Sequence, residues 1–242
     1  MTDQGKLTRG HSLKPMLPSL ATLGSLFLGV MAILFAGGQH FLTAAMLILA
    51  GTLLDAVDGQ IAHRLNVTSN LGKQLDSLAD MVTFGVAPTI LLYYLMINMG
   101  VPPIVAVVAS AVFALAGALR LARFNTQPSD RSAFFTGMPI PLASIFLIAG
   151  SFWQQWALNY WWVGIVVAVS LLMVSTVPYP KLQHLLALPW WMWLLAAGVC
   201  LAAGAAVSWR SVPFVFLLLY VVGGPLYALL LRRHAQAGGM PS

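Results

Sequence analysis

The sequence predicts an all-α fold, a polytopic transmembrane helical bundle of about eight spans with N- and C-termini cytoplasmic. Three observations carry that expectation. Hydrophobic residues make up 60% of the 242 positions and charged residues only 7%, where soluble domains carry about 25% charge. Apolar segments of about 20 residues, long enough to cross a bilayer, recur from residue 18 onward. With the N-terminus inside, eleven of the twelve Lys and Arg residues fall on one side of the membrane and only Arg210 on the other, a strong positive-inside bias.

Residues 1–17 form a basic N-terminal segment in which Lys6, Arg9, His11 and Lys14 alternate with Leu7, Leu13, Met16 and Leu17, a pattern suited to a helix lying on the inner leaflet. The first span, 18–37, lacks a small-x-small cleavage site and so reads as a retained span, not a signal peptide. Spans 40–62 and 70–98 are joined by a short link from Arg64 to Ser69, so they should be antiparallel neighbours. Pro88 lies inside the third segment, where a missing N–H should loosen the helix and widen a cavity. Span 101–124 brings Arg120 and Arg123 to the cytoplasmic face. Two further apolar runs, 138–156 and 159–178, complete a region ending near 185, and spans 187–208 and 212–232 with a basic tail occupy 186–242. Trp161, Trp162, Trp190, Trp191 and Trp193 mostly fall near span ends, the usual aromatic belt.

The net charge of +6 belongs to topology and to anionic lipid head groups, so no nucleic-acid partner is expected. Cys200 is the single cysteine, which excludes an intrachain disulfide or a thiolate metal cluster. His40, His184 and His234 lack metal-ligand spacing.

The acids are the anomaly. The chain has six acidic residues and no Glu, and four of them, Asp55, Asp58, Asp76 and Asp80, lie within apolar segments. A carboxylate at the bilayer centre costs about 3 kcal/mol on insertion scales. Asp55 and Asp58 are i and i+3, about 4.5 Å apart along one helix face. Asp76 and Asp80 are i and i+4 on the next helix. The two pairs should meet at the cytoplasmic ends of adjacent spans as a hard-oxygen cage for Mg2+, Mn2+ or Ca2+. Two such ions would neutralise four carboxylates and make a phosphoryl-transfer centre. Gly59 and Gly72 leave room for a ligand or a close backbone. Thr68, Ser69 and Asn70 can cap the third helix and offer a diphosphate its N-terminus. Two other readings remain at this point. The acids could pair with Arg64 or Lys73 in a polar interior, or mark an ion or proton path as in a divalent-cation transporter. Their clustering near one membrane face disfavours a relay.

The ordered residues Asp55, Asp58, Gly59, Ala62, Gly72, Asp76 and Asp80 resemble the signature of CDP-alcohol phosphatidyltransferases, D-x2-D-G-x2-A-R-x8-G-x3-D-x3-D. The one departure is His63 at the family Arg, with Arg64 next to it. Either His63 does that Arg's work, or Arg64 reaches round, or nucleotide binding differs. The runs Leu75–Pro88, Leu119–Asn125 and Phe135–Pro141 are similar to integral-membrane phosphatidylserine synthases, with a weaker echo from Met173 to Tyr179-Pro180. The resemblance covers about residues 15–185, so 18–185 is identified as the transferase core.

It implies that L-serine attacks CDP-diacylglycerol and releases CMP, with Asp80 as base and with Asp55, Asp58, Asp76 and Asp80 holding two divalent cations. The residues alone do not choose among the four acids. The resemblance also implies nucleotide or diphosphate contacts from Thr22, Asp55, Gly59, Ala62, His63, Arg64, Gly72 and Asp76. Arg120 and Arg123 would hold the acceptor or the lipid phosphate. Within the family the alternative acceptors are glycerol phosphate, an inositol phosphate or choline. The expected partners are membrane lipids and a second copy in a homodimer, and the expected location is the inner membrane with the site facing the cytoplasm.

Overall fold

The structure, a computed structural model, describes residues 16–65, 70–126, 134–153, 159–180, 194, 197–202, 205 and 211–237. Eight α-helices dominate these residues: α1 (Met16–Gly37), α2 (Phe41–Leu65), α3 (Asn70–Asp80), α4 (Ala87–Asn98), α5 (Pro103–Thr126), α6 (Ile140–Trp153), α7 (Asn159–Val174) and α8 (Val212–Ala237). A π-helical segment, Met81–Val86, joins α3 to α4 in one rod. Two three-residue strands, β1 (Phe134–Thr136) and β2 (Pro178–Pro180), pair antiparallel with Phe135 opposite Tyr179.

Large and small residues are distributed inside out. The buried stripe of α1 is Thr22, Ser25, Gly29, Ala32 and Ala36, spaced alternately by three and four. Leu20, Leu23, Phe27, Val30 and Leu34 are exposed, Phe27 at 62%. The stripe of α2 is Ala44, Ile48 and Gly51, while Leu42, Met46, Leu49 and Leu53 face outward. Lipid tails are as apolar as leucine, so nothing drives large side chains inward. Small residues instead let backbones approach closely. Packing of this kind marks a membrane protein.

Among the described residues, three helical stretches are long and apolar enough to cross a bilayer: Leu20–Gly37, Leu71–Asn98 and Pro103–Thr126. The further apolar stretches Phe41–Val57, Ile140–Phe152, Trp161–Val174 and Val212–Ala228 each abut residues whose side chains lie outside the described ones. Helix α7 ends at Val174, short of the expected 178, and residues 154–158 after α6 lie outside the described residues. Most of 187–208 and all of 1–15 lie outside the described residues.

The expected loosening at Pro88 takes a definite form. The backbone N–H of Ala87 donates to the Val82 carbonyl, an i→i−5 bond. Pro88 has no N–H to offer the previous turn, and the Thr89 hydroxyl donates to the Gly85 carbonyl at 2.8 Å. Widened turns before a proline re-satisfy carbonyls that a strict α-helix would strand. Phe84 packs in one core with Leu92, Met96, Phe113, Met138, Trp162 and Met173. Leu91, Leu95 and Ala87 enter a second with Ala32, Ala36 and Ile48.

Trp162 corrects an expectation. Trp161 is 71% exposed, as an aromatic belt requires, but Trp162 is fully buried and its Nε1 donates to Ser151 Oγ at 2.9 Å. It sits edge-on to Phe214 of α8, which stacks on Phe146 of α6. Trp190, Trp191 and Trp193 lie outside the described residues. Beyond α7, the Tyr220 hydroxyl donates to the Pro180 carbonyl at 2.9 Å and fastens α8 to β2.

The strand pair also lay beyond an all-α expectation. It closes on Gly137, whose N–H donates to the Val177 carbonyl at 2.8 Å. Gly137 has φ +79, and a Cβ there would collide with the Met173 carbonyl oxygen and sit 2.9 Å from that of Ser175. Gly137→Ala should therefore destabilise the fold by about 1–3 kcal/mol, read as a lower Tm in detergent. An unchanged Tm would show that this turn can be rebuilt without strain.

Candidate active site

The site grows from the two acid-bearing helices. Helix α2 carries its buried stripe from Ala44 through Ile48 and Gly51 to Asp55, which is half-buried. Helix α3 presents Asp76 and Asp80 one turn apart, just ahead of the π segment. Carboxylate oxygens of Asp55, Asp76 and Asp80 all lie within 4.8 Å of one another. Asp58 is in α2, but its side chain lies outside the described residues, as do those of Ala62, His63 and Arg64.

Two locking contacts hold the acid helices together. The Ser25 hydroxyl on α1 donates to the Gly51 carbonyl on α2 at 3.1 Å. The buried Thr83 hydroxyl in the π segment donates to the Ser25 carbonyl at 3.0 Å. Gly51 is four residues before Asp55 and Thr83 three after Asp80, so both contacts lie about one turn from an acid. Thr22, also buried, lies on the same α1 stripe one turn before Ser25. Gly59 is exposed, with no described atom within 4 Å of where its Cβ would be, so the α2 surface there is open. Gly72 lies half-buried in the first turn of α3.

Helix α5 approaches the same end of the bundle. Arg120 is half-buried and near enough to Asp80 to interact with its charge. The Arg120 Nε is buried and lacks a hydrogen-bond partner among the described residues. Arg123 behaves differently, because its guanidinium donates to the Val174 carbonyl at the end of α7, 3.2 Å away. A cation on the last carbonyls of a helix is a favourable cap. Asn125 Nδ2 donates to Ser77 Oγ at 2.8 Å, and Ser77 in turn donates to the Lys73 carbonyl. Sequence reasoning passed over Asn125, Ser77 and Thr83 as individual residues. For Thr83 a signal was present, a hydroxyl one turn beyond Asp80 in an otherwise apolar run.

The four stretches singled out by resemblance converge at this end. Asn125 ties the Leu119–Asn125 run to Leu75–Pro88, Arg123 ties it to Val174, and the strand pair joins Phe135–Thr136 to Pro178–Tyr179. Arg131 and Lys181 lie outside the described residues. A model of the family described as CDP-alcohol phosphatidyltransferase matches residues 15–222. The chain belongs to the CDP-alcohol phosphatidyltransferases.

Among similar proteins, the CDP-diacylglycerol--serine O-phosphatidyltransferase of Helicobacter pylori strain J99 is 37% identical over 177 residues, 69% of this chain and 73% of its own. The protein so named from Mycobacterium tuberculosis is 36% identical over 215 residues, 82% of this chain and 72% of its own. That of Bacillus subtilis is 35% identical over 167 residues, 69% and 91% of the two chains.

For a CDP-alcohol phosphatidyltransferase the donor set fits a hard divalent cation. Three carboxylates offer oxygens within 4.8 Å of one another, a gap that metal–oxygen bonds of about 2.1–2.5 Å can bridge. Like charges so close repel, and a bound cation relieves that repulsion in the folded state only. Mn2+ at about a hundredfold excess over its Kd should stabilise the phosphatidyltransferase by about 2.7 kcal/mol, seen as a raised Tm that EDTA reverses. Asp76→Asn should lose most of that rise. An equal rise in the variant would remove Asp76 from the cation site.

Proposed function

We propose that this membrane enzyme transfers the phosphatidyl group of CDP-diacylglycerol to the hydroxyl of L-serine, forming phosphatidylserine and CMP. The observation that carries the reading is the convergence of Asp55, Asp76 and Asp80 in a family member whose similar proteins from three bacteria are named for that reaction. In this reading Asp58 joins the other three acids around two divalent cations, Mg2+ or Mn2+. When bound, these cations neutralise the diphosphate and the phosphate oxygen that leaves with CMP.

The chain's own residues supply position and proton transfer. Asp80 takes the serine hydroxyl proton as the serine oxygen bonds to the β-phosphorus and the bond from that phosphorus to the CMP oxygen breaks. A carboxylate is a weak base for this step, and it works only if held within hydrogen-bond reach. Arg120, beside Asp80 with a buried donor to spare, is suited to hold serine's carboxylate or the lipid phosphate through its forked donors. Thr22, Gly59, Ala62, His63, Arg64 and Gly72 are assigned to the nucleotide side. In its proposed setting the bundle has eight spans with both termini and the acids on the cytoplasmic side of the inner membrane, and it works as a homodimer.

CMP release from CDP-diacylglycerol by purified protein in detergent tests the reading. Release should require a divalent cation and should rise with L-serine well above buffer. Release driven by glycerol phosphate, inositol phosphate or choline, with none from serine, would sink the serine assignment. Asp80→Asn should lower kcat by about 100-fold or more, in the range of lost general-base catalysis, while eluting as wild type by size exclusion. Near-normal turnover in that variant would remove Asp80 as base.

A further inference from the structure

We infer that Thr83 is a positioning residue whose contact with α1 sets the spacing between Asp80 and Asp55, and with it the affinity of the site for divalent cations. This rests on the reading that these acids hold a cation. Thr83 is wholly buried, as is Ser25, whose carbonyl receives its hydroxyl at 3.0 Å. It lies where three elements meet at their closest. A Cβ on Gly29 of α1 would come within 2.8 Å of the Thr83 Cα, and one on Gly51 of α2 within 2.7 Å of its Cγ2. Real Cβ atoms do not approach so near, so both glycines are required for Thr83 to sit where it does.

Ordinary core packing does not account for the whole of this arrangement. The Gly29 contact is with backbone, which cannot swing aside as a side chain can. The Ser25 hydroxyl returns a bond to the Gly51 carbonyl at 3.1 Å, so one α1 residue links to α2 and to the π segment through different groups. Both linked points lie one turn from an acid. A shift of α1 relative to either point therefore moves Asp80 against Asp55 along a short, stiff path. The π segment adds to this, since its widened turns set which face the rod presents on either side of residue 83. Cation binding reads such a shift directly, because ligand oxygens must be held close to their bonding distances.

The test is Mn2+ binding to purified protein in detergent, followed by the EPR signal of free Mn2+ with no lipid or serine present. Thr83→Val keeps the shape and removes the donor, and it should weaken binding about threefold, the scale of one interhelical hydrogen bond in a membrane. Thr83→Ser keeps the donor and should bind closer to wild type than Thr83→Val. Gly29→Ala pushes on the Thr83 backbone and should weaken binding about tenfold, as overpacking a tight contact does. Ser170→Ala, which loses a buried hydroxyl bond to the Val166 carbonyl within α7, should bind as wild type. Wild-type affinity in Thr83→Val, or an equal loss in Ser170→Ala, would overturn the inference, and both comparisons stand even if Gly29→Ala fails to fold. Wild-type protein that binds Mn2+ but releases no CMP with any alcohol would sink the proposed reaction and leave this inference standing.

Discussion

The close approach of α1, α2 and the π segment is the constraint on which the rest of the structure depends. In a bilayer the hydrophobic effect does not press helices together, so contact has to come from dispersion and hydrogen bonds between backbones that can touch. Gly29, Gly51 and the small stripe of α1 permit that contact, and Ser25 and Thr83 fix its register with side chain to carbonyl bonds. Each such bond contributes little, about 0.6 kcal/mol on average in a membrane bundle. Their effect is geometric, because they act within one turn of the acids, where a small rotation would separate the carboxylates.

That geometry creates an electrostatic problem. Asp55, Asp76 and Asp80 bring three formal negative charges together, and Arg120 offers one positive charge beside Asp80. Carboxylate charges so close repel. Protonation of one acid could relieve them, as in carboxylate dyads, but it would leave a neutral group where a base or ligand is required. A divalent cation removes the same repulsion and keeps every oxygen available, so the two solutions differ in what chemistry they leave behind. The acid-rich face was legible in the sequence for this reason. Four carboxylates at helical spacing in apolar segments have few stable explanations.

Other features were not legible, and each for a physical reason. Hydropathy finds apolar segments, so the rod from 70 to 98 and the helix near 101–124 came out almost as they stand. It does not measure size, so it missed that α1 and α2 pack small residues inward and turn leucines such as Leu34 and Leu53 out. The π segment depends on how carbonyls before Pro88 find donors, a local accounting that no periodicity displays. Trp161 and Trp162 are adjacent and chemically identical, yet one faces outward and the other donates to Ser151 in the core. Only the rotation of α7 against α6 and α8 distinguishes them. The strands are three residues long and contain two prolines, too short and too irregular for an alternating pattern.

Arg120 and Arg123 make the same point about the site itself. Their i, i+3 spacing gives them similar claims on an anionic substrate, and composition cannot rank them. In the fold they face different demands. Arg123 spends a donor on the Val174 carbonyl and braces α5 against α7, which stabilises the end of the bundle. Arg120 keeps a buried Nε with no described partner, and an unsatisfied buried donor costs about 1–3 kcal/mol. An anionic oxygen arriving beside Asp80 would recover that cost and the desolvation of the cation together. That recovery would add to the binding of the anion. On the proposed reading it makes Arg120, rather than Arg123, the residue that draws a carboxylate or phosphate toward the acids.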